Sequence, residues 1–271
     1  MKINSAALIY FSPTGTTKKI LAAITKGLDI SNLKLINLTL PAIRNSEIPE
    51  IEEDLVIIGS PVYCSRIPRL IYPALSRLKR SHKPVVLVSV YGNVDNGIAL
   101  NELYTISEKV GFKIIAAGSF IAEHSFSTDE VPIAKGRPSE VELEKAEEFG
   151  RNIKFKLGKI ETVKAASLKI PPSKLSLFDR LLPENVTRML TKTPVVNLDL
   201  CSNCGVCAKL CPTAAIDQDT LKVNESKCLR CFSCVKRCNK KARAFVFKKK
   251  MLTIPFFKAK NKLKHEPNIY L

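Results

Sequence analysis

Short apolar runs alternate with amphipathic stretches through the first 155 residues of the chain. The apolar runs predict five β-strands, at residues 6–11, 33–38, 54–59, 85–91 and 113–121. Helical periodicity follows the strands, near residues 17–28, 69–79, 97–110 and 139–156. Residues 55–58 are apolar without alternation, which is typical of a strand covered by helices on both faces. The pattern predicts an α/β domain at residues 1–156, built on a doubly wound parallel sheet of five strands.

The rest of the chain divides into three segments. Residues 157–196 contain four prolines between short amphipathic pieces such as residues 175–182, and they predict a connector of short helices packed on one or both domains. Residues 197–240 hold eight of the nine cysteines and predict a small second domain. Residues 241–271 form a basic tail.

The charge is concentrated towards that tail. The chain has 43 Lys and Arg against 25 Asp and Glu, a net charge of +18, and the stretch 239–271 carries ten of the former and one of the latter. Such a block is most often a solvated tail. An acidic protein, nucleic acid or an anionic membrane surface would also complement it.

Composition excludes several classes of protein. Hydrophobic residues make up 45% and charged residues 25%, as in folded soluble proteins rather than disordered ones. Apolar stretches such as residues 85–90 fall far short of the roughly 20 residues that cross a bilayer. The start of the chain lacks the features of a secretory signal, so a cytoplasmic location is expected.

An internal repeat carries the most specific chemistry. Residues 201–212 read CSNCGVCAKLCP, and the same spacing of cysteines recurs at residues 228–239, which read CLRCFSCVKRCN. Each copy matches the C-x₂-C-x₂-C-x₃-C run of two-cluster ferredoxins, in which the fourth cysteine of one run ligates the other cluster. Structural zinc sites pair C-x₂-C units across a longer gap and fit this spacing poorly.

The spacing predicts a small α+β domain of the bacterial ferredoxin type with two [4Fe–4S] clusters. Cluster one is assigned to Cys201, Cys204, Cys207 and Cys238. Cluster two is assigned to Cys211, Cys228, Cys231 and Cys234. Asn239 stands where the first copy has Pro212, a change that removes no ligand.

A loop rich in hydroxyl groups follows the first predicted strand. Residues 12–17 read SPTGTT and precede a helix, so backbone N–H groups and a helix N-terminus are available to a phosphate. The loop lacks the lysine of a G-x-x-x-x-G-K-[ST] nucleotide loop, and no glycines fall in G-x-G, the start of the dinucleotide fingerprint. The alternative is an ordinary helix-capping loop.

The stretch from Leu8 to Thr17 resembles the flavodoxin signature, in which this loop holds the phosphate of FMN. The resemblance continues in the sequences GSPVY at residues 59–63 and VYGN at residues 90–93. Together with the cysteine runs, the chain resembles the bacterial flavodoxin–ferredoxin fusion proteins over most of its length, and two further stretches, 121–125 and 133–138, share in it. The resemblance implies that FMN contacts Ser12, Thr14, Gly15, Thr16, Thr17, Pro61, Tyr63, Tyr91, Gly92 and Asn93.

Tyr63 and Tyr91 are the aromatic residues available to stack on a flavin ring, with ordinary packing at strand ends as the alternative. Cys64 lies in the same loop and is expected to be a spectator thiol rather than a redox group. His124 is expected to be a hydrogen-bonded loop histidine rather than an acid–base catalyst.

These features predict an electron-transfer protein that passes electrons between two clusters and FMN, to and from redox proteins. The basic surface suggests acidic partners, and no NAD(P) site is evident in the glycine spacing. The alternative is a flavin-dependent reductase of a small substrate, fed by the clusters. A nucleic-acid-binding protein is the third possibility, because Phe245, Phe247, Phe256 and Phe257 interleave with the lysines.

Overall fold

A computed structural model describes residues 1–79, 82–160, 167–175, 177–181, 186–263 and 265–271. Five parallel strands form the centre of its main sheet. They are β1 (Ser5–Tyr10), β2 (Asn32–Asn37), β3 (Leu55–Pro61), β4 (Pro84–Tyr91) and β5 (Lys113–Ile121). Their order, β2-β1-β3-β4-β5, is that of flavodoxin. The prediction of a doubly wound α/β domain is therefore confirmed.

Helices cover both faces of this sheet. The longer ones are α1 (Thr16–Leu28), α4 (Ala99–Lys109) and α5 (Glu140–Lys159), and the shorter ones are α2 (Pro41–Asn45) and α3 (Tyr72–Ser76). Every residue of β4 is buried, which explains why its sequence is apolar apart from Ser89. Helices α1 and α5 lie so close that a Cβ on Gly27 would fall 1.9 Å from the carbonyl oxygen of Glu147. Small residues at this crossing let the two helices share one face of the sheet.

The sheet has six strands, so the prediction of five was wrong in number. Strand β8 (Asn268–Tyr270) comes from the basic tail and pairs antiparallel with β5, with Gly118 opposite Ile269. So short a strand shows no alternation in sequence, and its partner is decided by the free edge of β5. The tail also forms α10 (Lys250–Asn261). Its described residues are thus folded against the rest of the chain, whereas Lys264 lies outside the described residues.

The described part of the connector contacts both domains: Leu168 lies on the first, and Arg188 donates from Nη2 to the carbonyl oxygen of Ser226 in the cysteine region. The N–H of Leu168 donates to the carbonyl oxygen of Ile114 over 2.8 Å, and Leu168 and Ile170 contact the core between the sheet and α4. Short helices α6 (Leu177–Leu181) and α7 (Val186–Leu190) follow. The rest of the predicted connector, at 161–166, 176 and 182–185, lies outside the described part of the chain.

The cysteine region has the two-fold internal symmetry that its repeat suggests. Strand β6 (Val195–Val196) pairs antiparallel with β7 (Arg243–Ala244), and a single bridge joins Ile216 to Val223. Helix α8 (Val206–Lys209) lies in the first run and α9 (Ser233–Lys236) in the second. Among the helices that the structure describes, none is long and apolar enough to cross a bilayer.

Phenylalanines from three segments form a cluster between the cysteine region and the tail. Phe126 contacts Phe232 at a centroid distance of 5.2 Å and Phe257 at 5.8 Å, and Phe232 stacks on Phe245 at 4.0 Å. Phe247 and Phe257 are buried in this cluster. These rings are the core under α10, which leaves only Phe256 of the four tail phenylalanines exposed.

Candidate cofactor sites

The thiols of the second cysteine run converge with one thiol of the first. Cys211, Cys228, Cys231 and Cys234 line a single cavity in the cysteine region. Cys211 belongs to the other run of the sequence, so folding has brought together the four residues assigned to cluster two. This arrangement supports the crossed assignment.

Backbone N–H groups contact the thiols in the same way in both copies. Ala215 donates its N–H to the Sγ of Cys211 and Ala242 donates to the Sγ of Cys238, each over 3.3 Å. A hydrogen bond from the N–H of Val206 is the main cause that lowers the pKa of the Cys204 thiol. Ser233 supplies the equivalent N–H to Cys231. Such bonds favour the thiolate form that binds iron.

Burial acts in the opposite direction in the second run. It raises the pKa of Cys231 strongly and that of Cys234 to about 12, and the neighbouring thiols add to the effect. Four clustered thiolates therefore need a positive partner, which iron supplies. All nine cysteines are free of disulfides. Among the described residues, no three or more side chains of Cys, His, Asp or Glu are placed so that they could hold a single metal ion.

The loop of residues 12–17 forms the turn that the sequence predicts, with donors available. Gly15 has φ +93°, which a side chain would disfavour, and it precedes the first turn of α1. Ser12 Oγ accepts the N–H of Lys18 over 3.1 Å. The N–H groups of Thr14, Thr16 and Thr17 have no acceptor within the part of the chain that the structure describes. Such N–H groups at a helix start suit an anion.

The second cysteine run docks directly on this loop. The carbonyl oxygen of Pro13 accepts Ser233 Oγ–H over 2.6 Å and Arg237 Nε–H over 2.8 Å. The Nη2 of Arg237 lies so close to Gly15 that a Cβ there would be 3.1 Å from it. Arg237 is exposed and keeps its Nη2 beside the loop. A phosphate bound to the loop would thus meet a charge from the cysteine domain.

A reciprocal contact holds the first cysteine run. Arg44, at the end of α2, is buried and donates from Nη2 to the carbonyl oxygen of Pro212 over 2.8 Å. Lys236 adds an ion pair with Glu123. Both cysteine runs are therefore fixed to the carboxyl edge of the sheet, where doubly wound folds bind their ligands.

The loop after β3 turns tightly beside the cysteine domain. Tyr63 and Arg66 exchange backbone hydrogen bonds across Cys64 and Ser65, whose φ angles are +51° and +64°. Burial raises the pKa of Tyr63, and the nearby thiols of Cys231 and Cys64 raise it further. Tyr63 thus lies near the thiols of Cys64 and Cys231. Its ring meets that of Phe11 edge-on at a centroid distance of 6.4 Å. Pro61, which ends β3, is partly exposed, and Cys64 is exposed.

The loop after β4 is covered by the tail. Tyr91 is 5% exposed and meets the His265 ring at a centroid distance of 6.0 Å. Asn93 is buried, and its side-chain amide donates to the carbonyl oxygen of Leu263 over 2.9 Å. A Cβ on Gly92 would fall 2.3 Å from the His124 ring. These three residues predicted to contact the flavin therefore lie under the tail or against His124.

His124 has the partners of a structural residue. Its Nδ1 accepts the N–H of Phe126 over 3.0 Å, and its ring packs on Phe257 at 5.3 Å. Burial lowers its pKa to about 4, and the charge of Lys236 contributes. The imidazole is thus neutral at pH 7.

Sequence reasoning missed Ser233, Arg237 and His265. Arg237 precedes the last cysteine of its run, where the first copy has Leu210, so the repeat itself marks the position as different. Ser233 lies among ligands without being one, and His265 stands in a lysine-rich tail. Neither carries a sequence signal, because each gains its role from a contact with a residue of the first domain, far away along the chain.

Two comparisons with known proteins match the cysteine region. Residues 193–239 match a family model described as a 4Fe-4S dicluster domain. An uncharacterized polyferredoxin-like protein of Methanocaldococcus jannaschii is 43% identical over 47 residues, which are 17% of this chain and 21% of that protein. The match thus spans about a fifth of that relative. The family model identifies the cysteine region as a 4Fe-4S dicluster domain.

Solved structures resemble the first domain at low identity. A flavodoxin from the domain Archaea is 16% identical, covers 57% of this chain and 99% of its own, and has a TM-score of 0.39. Rubredoxin oxygen:oxidoreductase from Desulfovibrio gigas is 16% identical over 57% of this chain and 36% of its own, with a TM-score of 0.42. A flavone reductase is 12% identical over 61% of this chain and 66% of its own, with a TM-score of 0.44. The flavodoxin-like fold rests on the strand order.

Proposed function

We propose that this chain, which joins a flavodoxin-like domain to a 4Fe-4S dicluster domain, is an electron-transfer protein carrying two [4Fe–4S] clusters and one FMN. The observation that supports this most is the double contact of Ser233 and Arg237 with Pro13. It seats the helix that carries Cys234 on the loop with free N–H groups. Two cofactor sites on separate domains are thereby brought to one interface.

The donor sets fit the groups. The four thiols around one cavity suit one cluster. The spacing of the repeat assigns Cys201, Cys204, Cys207 and Cys238 to the other. The N–H groups of Thr14, Thr16 and Thr17 and the guanidinium of Arg237 suit a phosphate dianion. FMN exchanges two electrons, singly or together, and each cluster exchanges one, so this pairing would let one-electron and two-electron partners be served by one chain.

The ring of the flavin requires a change in the tail. Tyr91 is 5% exposed and packs against His265, so it could stack on a flavin only after His265 leaves. Tyr63 keeps part of its surface exposed and lies beside Cys231. FMN binding and docking of this part of the tail would therefore compete, and Tyr63 would lie between the bound flavin and cluster two.

Partners are expected to be acidic redox proteins. The described tail presents Lys249, Lys250, Lys258 and Lys262 at the surface, and no carboxylate side chain occurs in the stretch 240–265. A basic surface attracts an acidic protein at long range and raises the association rate. The glycine spacing shows no dinucleotide fingerprint, so nicotinamides are not expected to be direct donors.

Anaerobic purification with quantitation of iron, sulfide and flavin tests the proposal. We expect about eight irons and eight sulfides per chain, and FMN bound more tightly than riboflavin because the loop recognises the phosphate. Thr17→Ala should weaken FMN binding by roughly 1–2 kcal/mol, and His265→Ala should strengthen it. Equal affinity for FMN and riboflavin would refute the phosphate loop, and zinc in place of iron would refute the clusters.

A second measurement separates the carrier from a self-sufficient reductase. Dithionite should reduce the loaded protein, whereas NADH or NADPH alone should do so slowly or not at all. Fast reduction by a nicotinamide would overturn the carrier assignment.

A further inference from the structure

One position of the cysteine domain is buried in both halves but carries a charge in only one of them. Ile216 follows Cys211 at the same spacing at which Arg243 follows Cys238, and each of these cysteines is the fourth of its run. The residue before each one donates its N–H to that cysteine's sulfur over 3.3 Å. Ile216 and Arg243 therefore have the same relation to the two cysteine runs.

Their strand partners are equivalent as well. Ile216 bridges to Val223, and Arg243 pairs with Val196. Val196 precedes the first cysteine run at the same spacing at which Val223 precedes the second. Ile216 and Arg243 thus occupy equivalent places in the fold, one apolar and one charged.

Arg243 is buried with donors that lack partners. It is 3% exposed, and its Nη2 donates to the carbonyl oxygen of Leu221 over 2.7 Å. Its Nε and Nη1 are buried and have no hydrogen-bond acceptor. Within the ranges that the structure describes, no carboxylate forms an ion pair with it. A permanent charge with unpaired N–H groups is unfavourable in an interior unless an anionic group faces it.

The group that faces Arg243 belongs to the second cysteine run. Strand β7, which carries Arg243, contacts α9, which carries Cys234. Arg243 lies close enough to Cys234 for its charge to act on that thiol. Cys234 is one of the four thiols that line the common cavity. The equivalent Ile216 gives the first half no such charge.

We propose that Arg243 faces the cluster held by Cys211, Cys228, Cys231 and Cys234 and makes it the more easily reduced of the two. Reduction adds a negative charge, and a buried guanidinium stabilises that charge far more than a surface lysine can. This inference rests on the two clusters of the proposed function and is independent of the flavin. At equilibrium the electron would then occupy the cluster held by α9, the helix that contacts the loop of residues 12–17. The other cluster, which includes the exposed Cys204, would be reduced second.

The test is an anaerobic redox titration of the loaded full-length protein, followed by EPR. Dithionite donates one electron to each cluster, and no bond is made or broken. In the wild type, the first cluster reduced should be the one whose spectrum Cys211→Ser perturbs. Arg243→Gln should lower the equilibrium constant for reduction of that cluster by at least about tenfold, equivalent to about 59 mV in the reduction potential for one electron. The reduction potential of the other cluster should change less. Arg243→Lys should retain most of the wild-type value.

Lys222→Gln is the matched control, because it removes an exposed positive charge beside Leu221 and should shift neither cluster by tenfold. If Arg243→Gln fails to assemble eight irons, Arg243→Ile replaces it, since the first half already accommodates isoleucine at the equivalent place. Equal shifts of both clusters, no shift, or the wrong cluster reduced first would overturn the inference. Loss of iron in the wild type would instead refute the proposed function.

Discussion

Arg237 and Pro13 are 224 residues apart in sequence and 2.8 Å apart in space, from the Nε of one to the carbonyl oxygen of the other. A second arginine, Arg44, makes the mirror contact from the first domain to Pro212 over the same distance. Each domain thus offers a proline carbonyl to an arginine of the other. The interface that results joins the carboxyl edge of the sheet, including residues 12–17, to both cysteine runs.

Removal of the Arg237 charge should weaken the binding of FMN and leave the binding of riboflavin unchanged. Arg237→Gln takes one cation from beside Gly15, and charge-assisted contacts of this type contribute about 1.5–3 kcal/mol, so a loss of roughly tenfold or more in FMN affinity is expected. Fluorescence titration with both ligands measures it. Lys209→Gln, an exposed site in the first run, is the control. Parallel losses for FMN and riboflavin would show that the variant acts on the fold instead.

Replacement of Cys211 should damage the distant cluster. Because Cys211 lines the cavity of the second run, Cys211→Ser should perturb the EPR spectrum of the cluster on Cys228, Cys231 and Cys234. Cys207→Ser, the preceding cysteine of the same run, should perturb the other one. Were both variants to affect the same spectrum, the crossed assignment would be wrong.

The basic tail should make electron transfer depend on salt. The rate with an acidic partner is expected to fall steeply as ionic strength rises from about 0.05 to 0.5 M, because the Debye length shrinks to a few ångströms. Replacing Lys258, Lys260 and Lys262 by Gln should flatten that dependence in stopped-flow measurements. The control removes Lys2, Lys109 and Lys159, which are exposed elsewhere. An unchanged slope in the tail variant would exclude the tail as the docking surface.

The core position Gly59 should be coupled to Leu21. A Cβ on Gly59 would fall 2.8 Å from the Cδ1 of Leu21, which is fully buried, so Gly59→Ala should cost about 1–3 kcal/mol of stability. Leu21→Ala creates space and is destabilising by itself. A double-mutant cycle measured by chemical unfolding should give a favourable coupling of at least about 0.5 kcal/mol. Additive losses would contradict the contact.

Stability should fall as the pH is lowered from about 6.5 to about 4. The folded pKa of His124 is about 4, below its ordinary value of 6.5, so the unfolded chain binds a proton in that window while the folded chain does not. Partial exposure of the residue limits the effect to about 1–3 kcal/mol. Thermal unfolding at pH 7 and 5.5 should show it, and His124→Gln should reduce the difference. If the loss of stability between pH 7 and 5.5 is as large in His124→Gln as in the wild type, other titratable groups cause it.

Short stretches of sequence determined where the strands, the loop of residues 12–17 and the cysteine groups lie. The run at residues 55–58 is apolar on both faces because β3 is central, so its burial could be predicted from its own sequence. The sequence SPTGTT likewise carries its own turn, since Gly15 supplies the positive φ. The cysteine spacing predicted which four thiols would meet, because a short run can supply only three of them.

The amino-acid sequence alone therefore determined the α/β domain, the loop and the cysteine groups, all of which depend on neighbours within one segment or on the spacing of its repeat. Tertiary structure decided where the tail lies, because β8 pairs with a free edge that no tail residue specifies. It also decided that His265 covers Tyr91 and that Arg237 reaches Pro13. In the same way it buried the charged Arg243 at the place that the apolar Ile216 occupies in the other half. These contacts join residues far apart in sequence, and only the packing of one domain on the other selects them.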